Sequence, residues 1–152
     1  MAIQNAGFRF ASLQYRSQLP PLMPYLNLYR SLVLLRIAIA LVFFMHALVR
    51  VLNNTIGIFG HFLEQKHFIY GTVIVWILTC FEILGAILLA IGRYTKPIAL
   101  AFIFILVVGI ILIHYQLGWF VGEHGTGGIE YSFILIMALI TIIAAANKKQ
   151  ST

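Results

Sequence analysis

Apolar residues in this chain gather into long runs, and polar residues fall between the runs rather than alternating with them. About 20 consecutive apolar residues are needed to cross roughly 30 Å of hydrocarbon as a helix. Four stretches meet this requirement, at about residues 31–52, 71–91, 97–117 and 129–146. Each ends on a recognisable break. Asn53, Asn54 and Gly57 close the first run, and the connection from there to Tyr70 has room for a short helix. The turn Gly92-Arg93-Tyr94-Thr95-Lys96-Pro97 separates the second run from the third, with Pro97 where a first helical turn tolerates a missing N–H. A glycine-rich segment from Gly122 to Gly128 precedes the fourth run, and Asn147-Lys148-Lys149 closes it. The pattern predicts an all-α membrane protein, a four-transmembrane-helix bundle. The domain layout that follows is a leader over residues 1–30, partly disordered or interfacial, a membrane domain over 31–147, and a tail over 148–152. Pro20, Pro21 and Pro24 interrupt the leader, which therefore lacks a signal peptide's continuous apolar core and is expected to stay attached. Tyr25, Tyr29 and Arg30 suit the lipid headgroup layer.

Composition agrees: 62% of the residues are hydrophobic and 9% are charged, against about 25% charged in an ordinary soluble domain. The net charge of +6 is spread around the ends of the runs and forms no basic stripe, so nucleic acid is set aside as a partner and the lipid bilayer takes its place. Arg9, Arg16, Arg30, Arg93, Lys96, Lys148 and Lys149 fall on the side that holds both termini, while Arg50 and Lys66 lie at or beyond the opposite ends. Basic residues favour the cytoplasmic side, so both termini are expected to be cytoplasmic. The one cysteine, Cys80, excludes an internal disulfide and a dithiol redox centre.

In so apolar a chain, ionisable residues mark the candidate chemistry. A charge within a span costs about 2.5–3.5 kcal/mol on insertion scales, so it is expected to face a partner or a wet cavity. Arg36, His46 and Arg50 lie in the first run and Glu82 near the middle of the second. Thr79 and Gly85, three positions either side of Glu82, share its helical face, which should look into the bundle. The connection around the glycine-rich segment holds two of the four carboxylates, Glu123 and Glu130, and two of the five histidines, His114 and His124.

Depth sorts these groups. His46, Arg50, His114 and Glu130 are expected to share one layer in the outer part of the bundle, with Glu130 the natural counter-charge to Arg50. Arg36, entering from the cytoplasmic side, is expected to reach up to Glu82 as a buried polar pair that either fixes helix register or serves chemistry. His46, His114 and Glu130 are the catalytic candidates, and Arg50, Trp119 and Tyr131 the ligand-binding ones. By default Trp119, Phe120 and Tyr131 would be an interfacial aromatic belt, and His61, His67 and His124 hydrogen-bonding residues near the membrane surface. No HxxxH or ExxH spacing supports a metal at His46, His114 and Glu130, and Arg50 would repel a cation, so no metal is assigned. Phosphate-binding loop and CxxCH signatures are missing from the sequence, so neither a nucleotide-binding fold nor covalent haem is supported, and no flavin is evident.

Leu35-Arg36 followed by His46, Phe81-Glu82-Ile83-Leu84-Gly85 leading to Gly92 and Thr95, His114 with Gly118-Trp119-Phe120, and Gly128-Ile129-Glu130-Tyr131, in this order and spacing, resemble the DoxX family over about residues 31–147. The resemblance implies a small four-helix protein of the bacterial inner membrane and a link to membrane redox chemistry with quinones, thiols or sulfur compounds. It also implies that Arg50 stands where relatives often carry lysine, an exchange that keeps the charge and adds a forked donor suited to a carboxylate or a quinone oxygen. The expected function is a quinone-linked oxidoreductase, or its membrane subunit, with a polar ligand pocket in the outer half of the bundle. The alternatives are a membrane scaffold that recruits a soluble redox enzyme and a small-molecule carrier. Quinone is the expected cofactor. A soluble redox partner and a homo-oligomer are the expected protein partners, the latter because Ala86 and Ala90 permit close helix contact.

Overall fold

The computed structural model describes residues 27–120 and 127–148. Expectations that fall on Arg9, Arg16, Tyr25, the three leader prolines, Glu123, His124 and Lys149 lie outside the described residues. By its contacts the chain divides into Met1–Ser31 and Leu32–Thr152. In the first unit, Asn27 caps the start of a helix: its Oδ1 accepts the Arg30 N–H at 2.9 Å, and its carbonyl accepts the Ser31 N–H and hydroxyl. Asparagine favours this position because its side chain satisfies an amide that has no partner within the helix.

All regular structure among the described residues is helical. The elements are α1 (Leu28–Leu52), α2 (Ile56–Gln65), α3 (Gly71–Ile91), α4 (Thr95–Gly109) and α5 (Glu130–Lys148). α4 continues through a π turn, Ile110–His114, into a 3-10 turn, Tyr115–Leu117. α1, α3 and the Thr95–Leu117 stretch are long and apolar enough to cross a membrane. α5 is 19 residues long, about 28 Å at 1.5 Å per residue, and is apolar over Glu130–Ala146. The chain is thus an integral membrane protein. Large apolar side chains such as Leu41, Ile77, Leu84, Phe104 and Ile134 stand exposed along these helices, as a lipid-facing surface requires.

The second run closes as its sequence suggests. Gly92 adopts φ +85°, and the amides of Gly92 and Arg93 turn back onto the Leu88 carbonyl, the glycine-ended close of a helix. The expected inward face of α3 is also present: Thr79, Glu82, Gly85, Ala86 and Leu89 are buried.

α1 and α3 run antiparallel, since Arg50 meets Glu82 and Arg36 meets Ala90. α3 and α4 are antiparallel too, with Gly85 against Phe102 and Ile98. The core of the bundle gathers Phe43, Ala86, Leu89, Ala99, Phe102, Leu135 and Leu139. At its centre the Phe43 and Phe102 rings stack with centroids 3.9 Å apart, and Phe81 meets Phe102 edge-on. Gly85 makes room for Phe102, whose ring lies 3.1 Å from where a Cβ would be.

α2 is more than a connection. It packs along the N-terminal turns of α3, where a Cβ on Gly71 would overlap the Gly60 carbonyl and a Cβ on Gly60 would strike Thr72. Glycine at both positions lets the two backbones touch. Ile56, Leu63 and Val75 then form a second cluster, flanked by Val51, Phe59, Phe62 and Leu112.

Candidate functional site

The deepest polar feature joins α1 to α3. Arg50 Nη1 donates to Glu82 Oε2 at 2.7 Å and to Thr79 Oγ1 at 2.9 Å. Thr79 Oγ1 donates in turn to the Val75 carbonyl at 2.7 Å. Arg50, Thr79 and Glu82 are 8%, 1% and 2% exposed, so this is an ion pair withdrawn from both water and lipid. The Phe59 ring of α2 covers the guanidinium, with its centroid 5.6 Å from Cζ. A charge in hydrocarbon is tolerated when its counter-charge and hydrogen-bond partners are already in place, and here α3 supplies both while α2 adds the covering ring.

This corrects two expected pairings, because Glu82 takes Arg50 and not Arg36, and the counter-charge of Arg50 is Glu82 and not Glu130. Arg36 instead lies over the end of α3. Its Nη2 donates to the Ala90 carbonyl at 3.3 Å, and its guanidinium atoms sit 2.7–3.0 Å from where a Cβ on Gly92 would be. Helix carbonyls near the C-terminus have no amide to accept from and carry partial negative charge, so a cation is favoured there. The reason for the difference is register. α1 meets Glu82 only in its last turn, at Arg50, well past Arg36. Arg36 Nε is buried without a hydrogen-bond partner among the described residues.

His46, one turn before Arg50, is exposed on α1. His114 ends the π turn and is half-buried. Its Nδ1 lies 3.0 Å from the Gly127 carbonyl. A carbonyl can only accept, so Nδ1 carries the proton, and in the neutral ring Nε2 is the acceptor.

Backbone bonds tie the start of α5 to the segment that follows the 3-10 turn. The Ile129 amide donates to the Gly118 carbonyl at 3.1 Å and the Glu130 amide to the Trp119 carbonyl at 3.0 Å. Gly128 is buried at this crossing, where any side chain would overlap the Trp119 and Phe120 carbonyls. These bonds hold Glu130 at the first turn of α5, half-buried, where the positive end of the helix dipole favours a carboxylate. Trp119 leans on Phe133 of α5, with ring centroids 5.5 Å apart. Trp119 and Tyr131 are each about half exposed, at 49% and 51%.

A family model named DoxX matches residues 31–115, more than half of the chain. The chain belongs to the DoxX family. Arg36, His46, Arg50, Glu82 and His114 fall within the matched part of this DoxX protein, and Trp119, Glu130 and Tyr131 follow it. Comparison with curated proteins and with solved structures finds no match. Among the described residues no group of three or more His, Cys, Asp or Glu is placed to hold a metal ion.

Three contributors are not legible in the residue pattern. Phe59 is one more aromatic in an apolar run, and nothing marks it as the cover of Arg50. The π turn leaves no signature, although such turns recur at functional sites because the extra residue redirects the side chains that follow. Gly127 acts through its carbonyl, which every residue has. Thr79 had a signal in its place on the face of Glu82.

Proposed function

We propose that this DoxX protein is the membrane subunit of a quinone-linked oxidoreductase of the bacterial inner membrane, with His46, His114 and Glu130 serving a polar ligand site in the outer half of the bundle. The observation that supports it is the buried Arg50–Glu82 ion pair one helical turn from His46, together with His114 held at the end of the π turn by the Gly127 carbonyl. Both termini lie in the cytoplasm, so this layer faces outward.

A bound quinone would supply two-electron, two-proton redox chemistry in the plane of the bilayer. The donor set suits it, since two imidazoles and a carboxylate can each give and regain a proton near a carbonyl oxygen. His46, whose ring has no hydrogen bond among the described residues, offers an N–H to one oxygen. His114, its Nδ1–H fixed by Gly127, presents Nε2 as a proton acceptor. Glu130 exchanges protons with the outer water, and Trp119 and Tyr131 line the approach. Arg50 does not bind the ligand directly; its charge is spent on Glu82, and it fixes the register of α1 against α3. With one cysteine the chain has no dithiol to carry electrons, so a soluble redox partner delivers them.

Purified protein tests this. A ubiquinone analogue is expected to bind wild type and to bind at least tenfold more weakly to His46→Ala and to His114→Ala, with both variants remaining monodisperse. Equal binding by wild type and variants removes the site, and capture of a soluble enzyme with no quinone bound favours the scaffold instead.

A further inference from the structure

The break between α1 and α2 sits at an unexpected level. α1 ends at Leu52, Asn54 takes φ +54°, and α2 begins at Ile56 packed against Val75. Val75 lies four residues inside α3, whose outer end at Gly71 touches Gly60 and Glu64. At 1.5 Å per residue, the break is therefore about 6 Å or more below the outer end of α3. The exposed surface between these levels is apolar at Ile58, Val73 and Ile74, with Thr72 its polar exception, and charged and histidine side chains return at His61, Glu64 and Lys66. α1 and α2 thus make one interrupted span.

The interruption leaves backbone groups unpaired. Arg50's carbonyl takes both the amide and the hydroxyl of Thr55, at 3.1 and 3.2 Å. Among the described residues, no hydrogen bond meets the amides of Ile56, Gly57 and Ile58, or the carbonyls of Leu52, Asn53 and Asn54. Each such group in hydrocarbon costs several kcal/mol, and irregular backbone persists at membrane depth only beside protein or water. Asn53 and Asn54 are themselves exposed there. Asn53 lies one turn past Val49 and Arg50, directly beyond the end of α1, with its amide on the Val49 carbonyl.

We propose that the Asn53–Thr55 break is a water-filled notch in the outer part of the bilayer, and that it gives His46 an aqueous source of protons separate from Glu130. This rests on the ligand-site reading for its use but not for its existence. The notch satisfies the unpaired amides and carbonyls, and it accounts for two asparagines within an apolar layer.

The test is cysteine labelling in a Cys80→Ala background, in intact lipid vesicles, with a membrane-impermeant maleimide. Asn53→Cys is expected to react within about tenfold of the loop position His67→Cys, and His46→Cys more slowly but measurably. Met45→Cys, Val49→Cys and Ile58→Cys, which are also exposed on the protein, are expected to react at least a hundredfold more slowly than Asn53→Cys because they face lipid. Protection of Asn53→Cys to the level of Val49→Cys overturns the notch. Fast reaction of Ile58→Cys overturns it as well, since α2 would then lie in bulk water. Silence at His46→Cys alone overturns the connection to His46. Hydrogen exchange on the unaltered chain in lipid nanodiscs is independent of variant folding. The Ile56–Ile58 amides should exchange at least a hundredfold faster than those of residues 39–47, and equal protection sinks the proposal. Quinone binding is read separately: labelling as expected with no quinone bound keeps the notch and removes the redox reading, and the reverse result does the opposite.

Discussion

The two arginines of α1 sit in the same kind of sequence and are stabilised in different ways. Arg50 lies deep, where α3 offers Glu82 and Thr79 and α2 closes over it with Phe59. Arg36 lies where α3 ends, and takes the Ala90 carbonyl beside Gly92. The difference follows from what a helix offers at each level. In its middle every carbonyl is bonded, so only a side chain can neutralise a cation; at its end free carbonyls do so. Arg50 therefore depends on a single carboxylate, and Arg36 on a backbone feature that most substitutions preserve.

The largest effect should come from breaking the deep pair on one side. Glu82→Ala leaves the guanidinium buried and unpaired, at a cost of about 3–5 kcal/mol, read as a large fall in the melting temperature of detergent-solubilised protein. The double variant Arg50→Met with Glu82→Leu should recover most of that loss, because two apolar side chains need no partner. If the double variant is no better than the single one, the pair's charge is needed for more than its own neutralisation.

Next is the glycine contact that places Phe59 over Arg50. Gly71→Ala forces the α2 backbone away from α3 and should cost about 1–3 kcal/mol, as overpacking does. Gly57→Ala, where a Cβ meets nothing within 4 Å, is the control and should be close to neutral.

Arg36→Met should be milder than Glu82→Ala, at about 0.5–2 kcal/mol for a cation at a helix C-terminus. A loss as large as that of Glu82→Ala would mean that Arg36 has an ionic partner after all. The smallest effect is expected from His61→Ala, whose 3.6 Å pairing with Glu64 is largely exposed and worth under about 1 kcal/mol.

Much of this protein was legible in the order of its residues. Runs of apolar length have one low-energy state in a bilayer, a helix with its backbone bonds satisfied internally, so the elements and the membrane setting follow from local composition. The buried face of α3 was equally readable, because Thr79, Glu82 and Gly85 recur at helical spacing, and the motifs from Arg36 to His114 were enough to indicate the DoxX family.

Pairing across helices was not readable, since a side chain's partner depends on how far one helix has slid along the next. That slide is decided by close contacts such as Gly60 on Gly71 and Phe102 on Gly85. It gave Glu82 to Arg50, moved Arg36 to the end of α3, and laid the short helix of the first connection, α2, against the N-terminal turns of α3. Composition can count the charges that must be neutralised within the membrane, but only the packed helices determine which group neutralises each one.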